Sequence, residues 1–145
     1  MKKIFESFEK CKINFSHQII WLKNNHVMTR SKQDHSPKHE ACLYGWKGKH
    51  KFYGGFKTTI YEYDKPQSND LHLVMKPVPL MAELVTEGSD KDGIVYDPFL
   101  GSGSTLIACE QTGRTCFGME LEPAYVDVIV ERFENFSGQK AEKLE

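Results

Sequence analysis

Residues 93–105, Gly-Ile-Val-Tyr-Asp-Pro-Phe-Leu-Gly-Ser-Gly-Ser-Thr, constrain this chain more than any other stretch. A short apolar run ends at Asp97, a Gly-Ser-Gly turn follows, and an apolar segment of helical length runs to Thr112. Strand, glycine loop and helix in that order let a backbone approach a nucleotide-like ligand closely. A phosphate cradle of the Walker type needs a lysine after the second glycine, and none follows Gly103. The dinucleotide fingerprint needs a third glycine at 106, where Leu106 stands. A nucleoside without phosphates fits better. The next strand candidate, Thr115 to Met119, ends at Glu120, nineteen positions after Gly101. An acid at that spacing can accept both hydroxyls of a ribose. The alternative is a helix-start acid, because Pro123 opens a helix soon after.

The order of elements predicts an α/β fold. Apolar periodicity gives a short helix over 4–11, strands over 13–22 and 40–46, and a short alternating strand over 58–63. Residues 23–38 and 47–55 read as loops and 64–70 as a polar linker. A helix over 77–87 puts Val78, Met81, Leu84 and Val85 on one face and stops at Gly88. Then come a strand at 94–97, a helix at 103–112, a strand at 115–119 and a helix at 123–136 carrying Tyr125, Val128, Ile129, Arg132 and Phe133 on one side. From Ser137 the tail is polar and expected to fray. Strand–helix–strand–helix spacing implies parallel pairing.

At 145 residues the chain is one domain at most. Its charge is nearly balanced but unevenly placed. Residues 23–51 hold Lys23, Arg30, Lys32, Lys38, Lys47, Lys49 and Lys51 against Asp34 and Glu40, a net +5, whereas residues 82–145 carry a net −8. This asymmetry predicts a basic edge for a polyanion, or else a solvated basic loop without a partner. The four cysteines form no Cys-x-x-Cys pair, and Cys109 and Cys116 fall in apolar patterns that predict buried free thiols. His35, His39 and Cys42 have a metal-like spacing but no evident fourth ligand, so no metal is expected. No apolar run approaches ~18 residues, which makes a membrane span unexpected and a cytoplasmic location the default.

Asp97 to Thr105 closely resembles the cofactor-binding motif of the amino-group DNA methyltransferases, which modify adenine N6 or cytosine N4 with S-adenosylmethionine. His72-Leu73-Val74-Met75-Lys76-Pro77 resembles the segment that precedes this loop in the subgroup of permuted motif order, with Leu73-Val74 replacing Pro-Thr. Gly118 to Tyr125 resembles the second cofactor segment, and Ile19 to Asn24 and His39 to Gly45 resemble segments leading into later strands. The likeness covers most of residues 15–136. It implies a Rossmann-like methyltransferase fold, with Lys76, Asp97, Phe99, Gly101, Gly103, Ser104 and Glu120 holding the cofactor. Asp97 would face the methionine ammonium, amides at Gly103–Thr105 its carboxylate, and Phe99 would be an aromatic wall or plain core. The partner implied is double-stranded DNA, met by Lys23, Arg30, Lys47, Lys49 and Lys51, with adenine N6 the favoured target.

One part of the family pattern does not occur in these 145 residues. The Asp/Asn/Ser-Pro-Pro-aromatic segment, which accepts the target amine and stacks the base, is absent, so no catalytic residue is assigned. In the permuted order that segment precedes the residues seen here. The chain is therefore expected to be a carboxyl-terminal portion: basic strands and loops over 23–75, a cofactor half over 76–136 and a flexible tail over 137–145. The expected sheet is incomplete, with an apolar edge that pairs with a copy of itself or with a complementing chain. The alternatives are a non-catalytic cofactor-binding remnant or split subunit and, from Glu120 alone, a nicotinamide-dependent oxidoreductase.

Overall fold

The computed structural model describes residues 2–25, 34–66 and 75–144. They divide into two compact units, residues 1–52 with 56–64, and residues 53–55 with 65–145.

In the first unit, helix α1 (Lys2–Lys10) leads into β1 (Asn14–Leu22), β2 (His39–Trp46) and the short β3 (Ile60–Glu62). The strand order is β2-β1-β3. β1 and β2 run antiparallel, with Leu22 opposite His39 and Asn14 opposite Trp46, and a bulge lies between Phe15 and His17. β3 runs parallel to β1, with Ile60 beside Ile20. Among the described residues of this unit, Ile19, Trp21 and Tyr61 are the buried apolar ones. The Trp21 indole N–H donates to the Tyr63 carbonyl at 2.7 Å, so burial of the ring leaves no polar atom stranded.

The second unit consists of α2 (Val78–Gly88), β4 (Ile94–Asp97), α3 (Ser104–Thr112), β5 (Thr115–Gly118) and α4 (Pro123–Ser137). β4 and β5 pair in parallel, Val95 beside Cys116 and Tyr96 beside Phe117. The α/β fold and the parallel pair are thus as expected. α3 is the hub: Ala108 and Cys109 have no exposed surface, and Ile107 is nearly as buried. Leu80 and Val85 of α2 and Ile129 of α4 complete the core, each such side chain stabilising by roughly 1.5–3 kcal/mol. On α2 the buried set is Leu80, Val85 and Glu87, so the helix is covered on more than the one face its pattern suggested. Among the described residues no strand pairs with the second edge of β4 or of β5. No helix of the described residues is long and apolar enough to cross a membrane. The tail folds back on α4, where Glu134 accepts from Lys140 Nζ at 2.6 Å and from the Ala141 N–H at 3.0 Å.

Candidate cofactor site

The site lies where β4 and β5 end. Asp97, the last residue of β4, is held by the loop that follows it. Its Oδ1 accepts the Phe99 N–H at 3.0 Å and its Oδ2 accepts the Thr105 hydroxyl at 2.6 Å. The carboxylate therefore ties the strand tip to both the loop and the first turn of α3. A carboxylate has about four acceptor positions, so capacity for an external cation remains.

Gly103 caps α3 in the left-handed conformation at φ 79°, without a side-chain cap. A Cβ there would meet the Ile129 side chain at 3.2 Å. The bare glycine leaves the first-turn N–H groups of α3 uncapped, at the positive end of the helix dipole. Ser104 Oγ donates to the Lys76 carbonyl at 2.8 Å, which brings the segment before α2 against the loop. The Ser102 carbonyl accepts from the guanidinium of Arg132 on α4, and burial lowers the Arg132 pKa. Periodicity places Arg132 on a packing face, but nothing in the sequence signals its grip on the loop.

Glu120 closes the site from the β5 side. Its Oε2 accepts the Gly101 N–H at 2.7 Å, and its Oε1 accepts the N–H groups of Leu121 at 2.9 Å and Glu122 at 3.0 Å. These donors, Glu122 first and then Gly101, hold its pKa below the ordinary carboxylate value. The loop and the acid nineteen residues on thus form one structure. Gly118 allows this closeness, since a Cβ there would lie 2.5 Å from Leu100.

Phe99 is 87% exposed, which removes the core-packing reading and leaves its ring available to a ligand. Leu121, next to Glu120, is 97% exposed and forms an apolar neighbour that the sequence reading does not single out. Its only signal is an apolar side chain directly after the acid. Cys109 on α3 is a buried free thiol as expected, whereas Cys116 on β5, which hydrogen-bonds with it, is only half-buried. Burial, the neighbouring Cys109 and Asp97 push Cys116 up to about 12, so it is inert at neutral pH.

Among the described residues, the basic candidates differ in exposure. Lys23 is 5% exposed, its Nζ is 2.6 Å from Glu40 Oε1, and it lies over the Trp21 ring. Lys47, Lys49 and Lys51 are exposed and follow Trp46, at the other end of β1 from Lys23. Arg30 and the His72-Leu73-Val74 segment lie outside the described residues. No three His, Cys, Asp or Glu side chains among the described residues are grouped to hold a metal ion.

The chain is similar to known proteins over most of its length. The DNA methylase family profile matches residues 1–131. The type II methyltransferase M.Cfr9I of Citrobacter freundii is 30% identical over 129 residues, which is 80% of this chain and 43% of that protein. The chain therefore spans less than half the length of this relative. Of the solved structures, the M1.HpyAVI–SAM complex superposes with a TM-score of 0.77 at 26% identity, covering 91% of this chain and 68% of that one. TTHA0409 from Thermus thermophilus, complexed with S-adenosyl-L-methionine, gives 0.68 at 25% identity over 88% and 56% of the two chains. With a family match over most of its length and a glycine loop closed by an acid, this chain belongs to the DNA methylase family.

Proposed function

We propose that the chain is the S-adenosylmethionine-binding part of a DNA amino-methyltransferase of permuted motif order, acting on adenine N6. The observation that carries this is the closed pair of Glu120 and Gly101, with exposed Phe99 and Leu121 beside it. When bound, S-adenosylmethionine supplies an electrophilic methyl group on a sulfonium centre. Uncapped amides at the start of α3 suit the methionine carboxylate. Asp97 lies beside them and suits the ammonium. The one remaining acceptor position of Glu120, on Oε2, suits a ribose hydroxyl, and Phe99 and Leu121 suit the faces of the adenine. The site matches this ligand better than a dinucleotide, because Leu106 stands where the dinucleotide fingerprint has its third glycine, the one that permits close helix–strand packing.

The acceptor of the target amine must come from outside these 145 residues. A groove lined by Met81, Leu84 and Val85 of α2 and by Ile94, Val95 and Tyr96 of β4 runs to Asp97. In our reading, a parallel strand added at this edge of β4 would end beside the cofactor. That favours a complementing segment over a non-catalytic remnant. Lys47, Lys49 and Lys51 are the proposed phosphate contacts because they are exposed, and Lys23 is left out because it is buried against Glu40.

Titration calorimetry tests the cofactor assignment. S-Adenosylhomocysteine is expected to bind and Glu120→Ala to weaken it at least tenfold, with no response to NAD. Binding of NAD alone would overturn the reading. The chain by itself is expected to transfer no methyl group to DNA, and turnover by the purified 145-residue chain would sink the requirement for a complementing segment.

A further inference from the structure

The first unit carries an aromatic cluster that the cofactor site does not use. Cys42, Tyr44 and Trp46 alternate on one face of β2, and His17 stands opposite Tyr44. The loop after β2 folds back over this face. His50 packs on Trp46 with ring centroids 4.1 Å apart, and its Nε2 lies 2.9 Å from the Tyr44 hydroxyl. Phe52 lies nearly parallel to His50, at 12° and 6.5 Å, and edge-on to Tyr44. His17 packs against Tyr44 at 5.1 Å. These rings are not core: His17, His50 and Phe52 are exposed, and Tyr44 and Trp46 are half-buried. Phe56, a few residues on, is fully exposed.

The charge around the cluster has one sign. From Ala41 to Tyr61 there is no Asp or Glu, while Lys47, Lys49, Lys51 and Lys57 fall within that span. Lysines interleaved with accessible rings give a polynucleotide both of its attractions, phosphate pairing and base stacking. A duplex offers only the first, because its bases are already stacked on one another. An unpaired strand offers both.

We propose that the Tyr44–Trp46–His50–Phe52 shelf, with Lys47, Lys49 and Lys51, is a stacking site for unpaired nucleobases of a DNA strand. This rests on the reading of the chain as part of a DNA methyltransferase and adds to it a contact separate from the cofactor loop. The shelf holds rings already ordered by their mutual packing and by the Tyr44–His50 hydrogen bond, so little is lost in arranging them on binding. His50 offers a ring face to a base.

Fluorescence titration of the 145-residue chain with an oligothymidine, a duplex of equal length and heparin tests the site. Trp46 is one of two tryptophans and the more exposed of them; Trp21 is buried. The oligothymidine is expected to quench the emission and to bind more tightly than the duplex. His50→Ala and Phe52→Ala should each weaken it roughly tenfold, while Trp46→Phe abolishes the quench. Replacing Lys47, Lys49 and Lys51 by serine should lower the slope of log affinity against log salt by about two. Thermal melting of each variant separates loss of the site from loss of the fold. Equal binding of oligothymidine by parent and ring variants, or heparin bound as tightly as the oligonucleotide, would overturn the stacking site while leaving charge-driven DNA contact intact. No binding of either DNA would overturn the stacking site and the DNA assignment together, whereas the cofactor titration above reports on the second unit separately.

Discussion

Two residues of the candidate cofactor site concentrate its physics. Glu120 is held ionised by three backbone donors, with its pKa below the ordinary carboxylate value. A folded-state pKa that is depressed stabilises the fold above the unfolded value, and this stabilisation is lost as pH falls through the folded value. The stability difference between the parent chain and Glu120→Gln, measured by urea denaturation, is therefore expected to be full at pH 7. It should shrink as the pH drops below the normal glutamate range. A difference that stays constant down to the acid limit would contradict the role of the charge. Gly103 is the second such residue. At φ 79°, with Ile129 in the way of any Cβ, Gly103→Ala combines backbone strain with a tight contact. A loss of about 1–3 kcal/mol is expected in the same assay. If alanine were neutral there, the loop would not be under the constraint described.

The individual elements were largely legible in the sequence. Ile94 to Asp97, the helix stopped by Gly113, and the helix opened by Pro123 all carry local signals, an apolar run or a glycine or proline punctuation mark. What local signals do not carry is partnership. β3 is three residues long, and nothing in Ile60-Tyr61-Glu62 announces a parallel neighbour forty residues upstream. Lys23 resembles a phosphate ligand in sequence because composition counts charges without seeing Glu40, which the register of β1 with β2 brings beside it. The spacing of Gly101 and Glu120 was readable, yet the hydrogen bond between them depends on how β4 and β5 align. The face of that strand pair is the clearest unfinished element. Ile94, Tyr96, Phe117 and Met119 are each more than half exposed. Such a face favours self-association. Replacing Ile94 and Tyr96 by lysine is expected to shift the chain toward monomer in sedimentation velocity runs over a concentration series. An unchanged distribution would show that this face is not what associates.

As a whole, the molecule separates its charges in a way that composition disclosed only in part. The acidic half contains the cofactor loop, and the basic surplus lies in the unit built on β1 and β2. The sequence did not show that the surplus splits. Among the described residues, Lys23 is buried against Glu40, whereas Lys47, Lys49 and Lys51 are exposed near an aromatic cluster toward the other end of β1. The tail is likewise less idle than its polarity suggested, since Lys140 and the Ala141 amide both return to Glu134. The resemblance in the loop pointed to the family, but the pairing of acid with amide and of ring with ring had to be read from the fold.

The bond from Gly101 to Glu120 has a further consequence. The same carboxylate closes the loop on its own backbone and, in the proposed role, receives the ribose. Occupancy and loop closure are then two views of a single equilibrium, and each must shift the other by the same free energy. The Gly101 amide becomes a natural gauge of that equilibrium: its rate of hydrogen exchange with solvent registers how often the loop opens, with ligand and without, before any methyl group has moved.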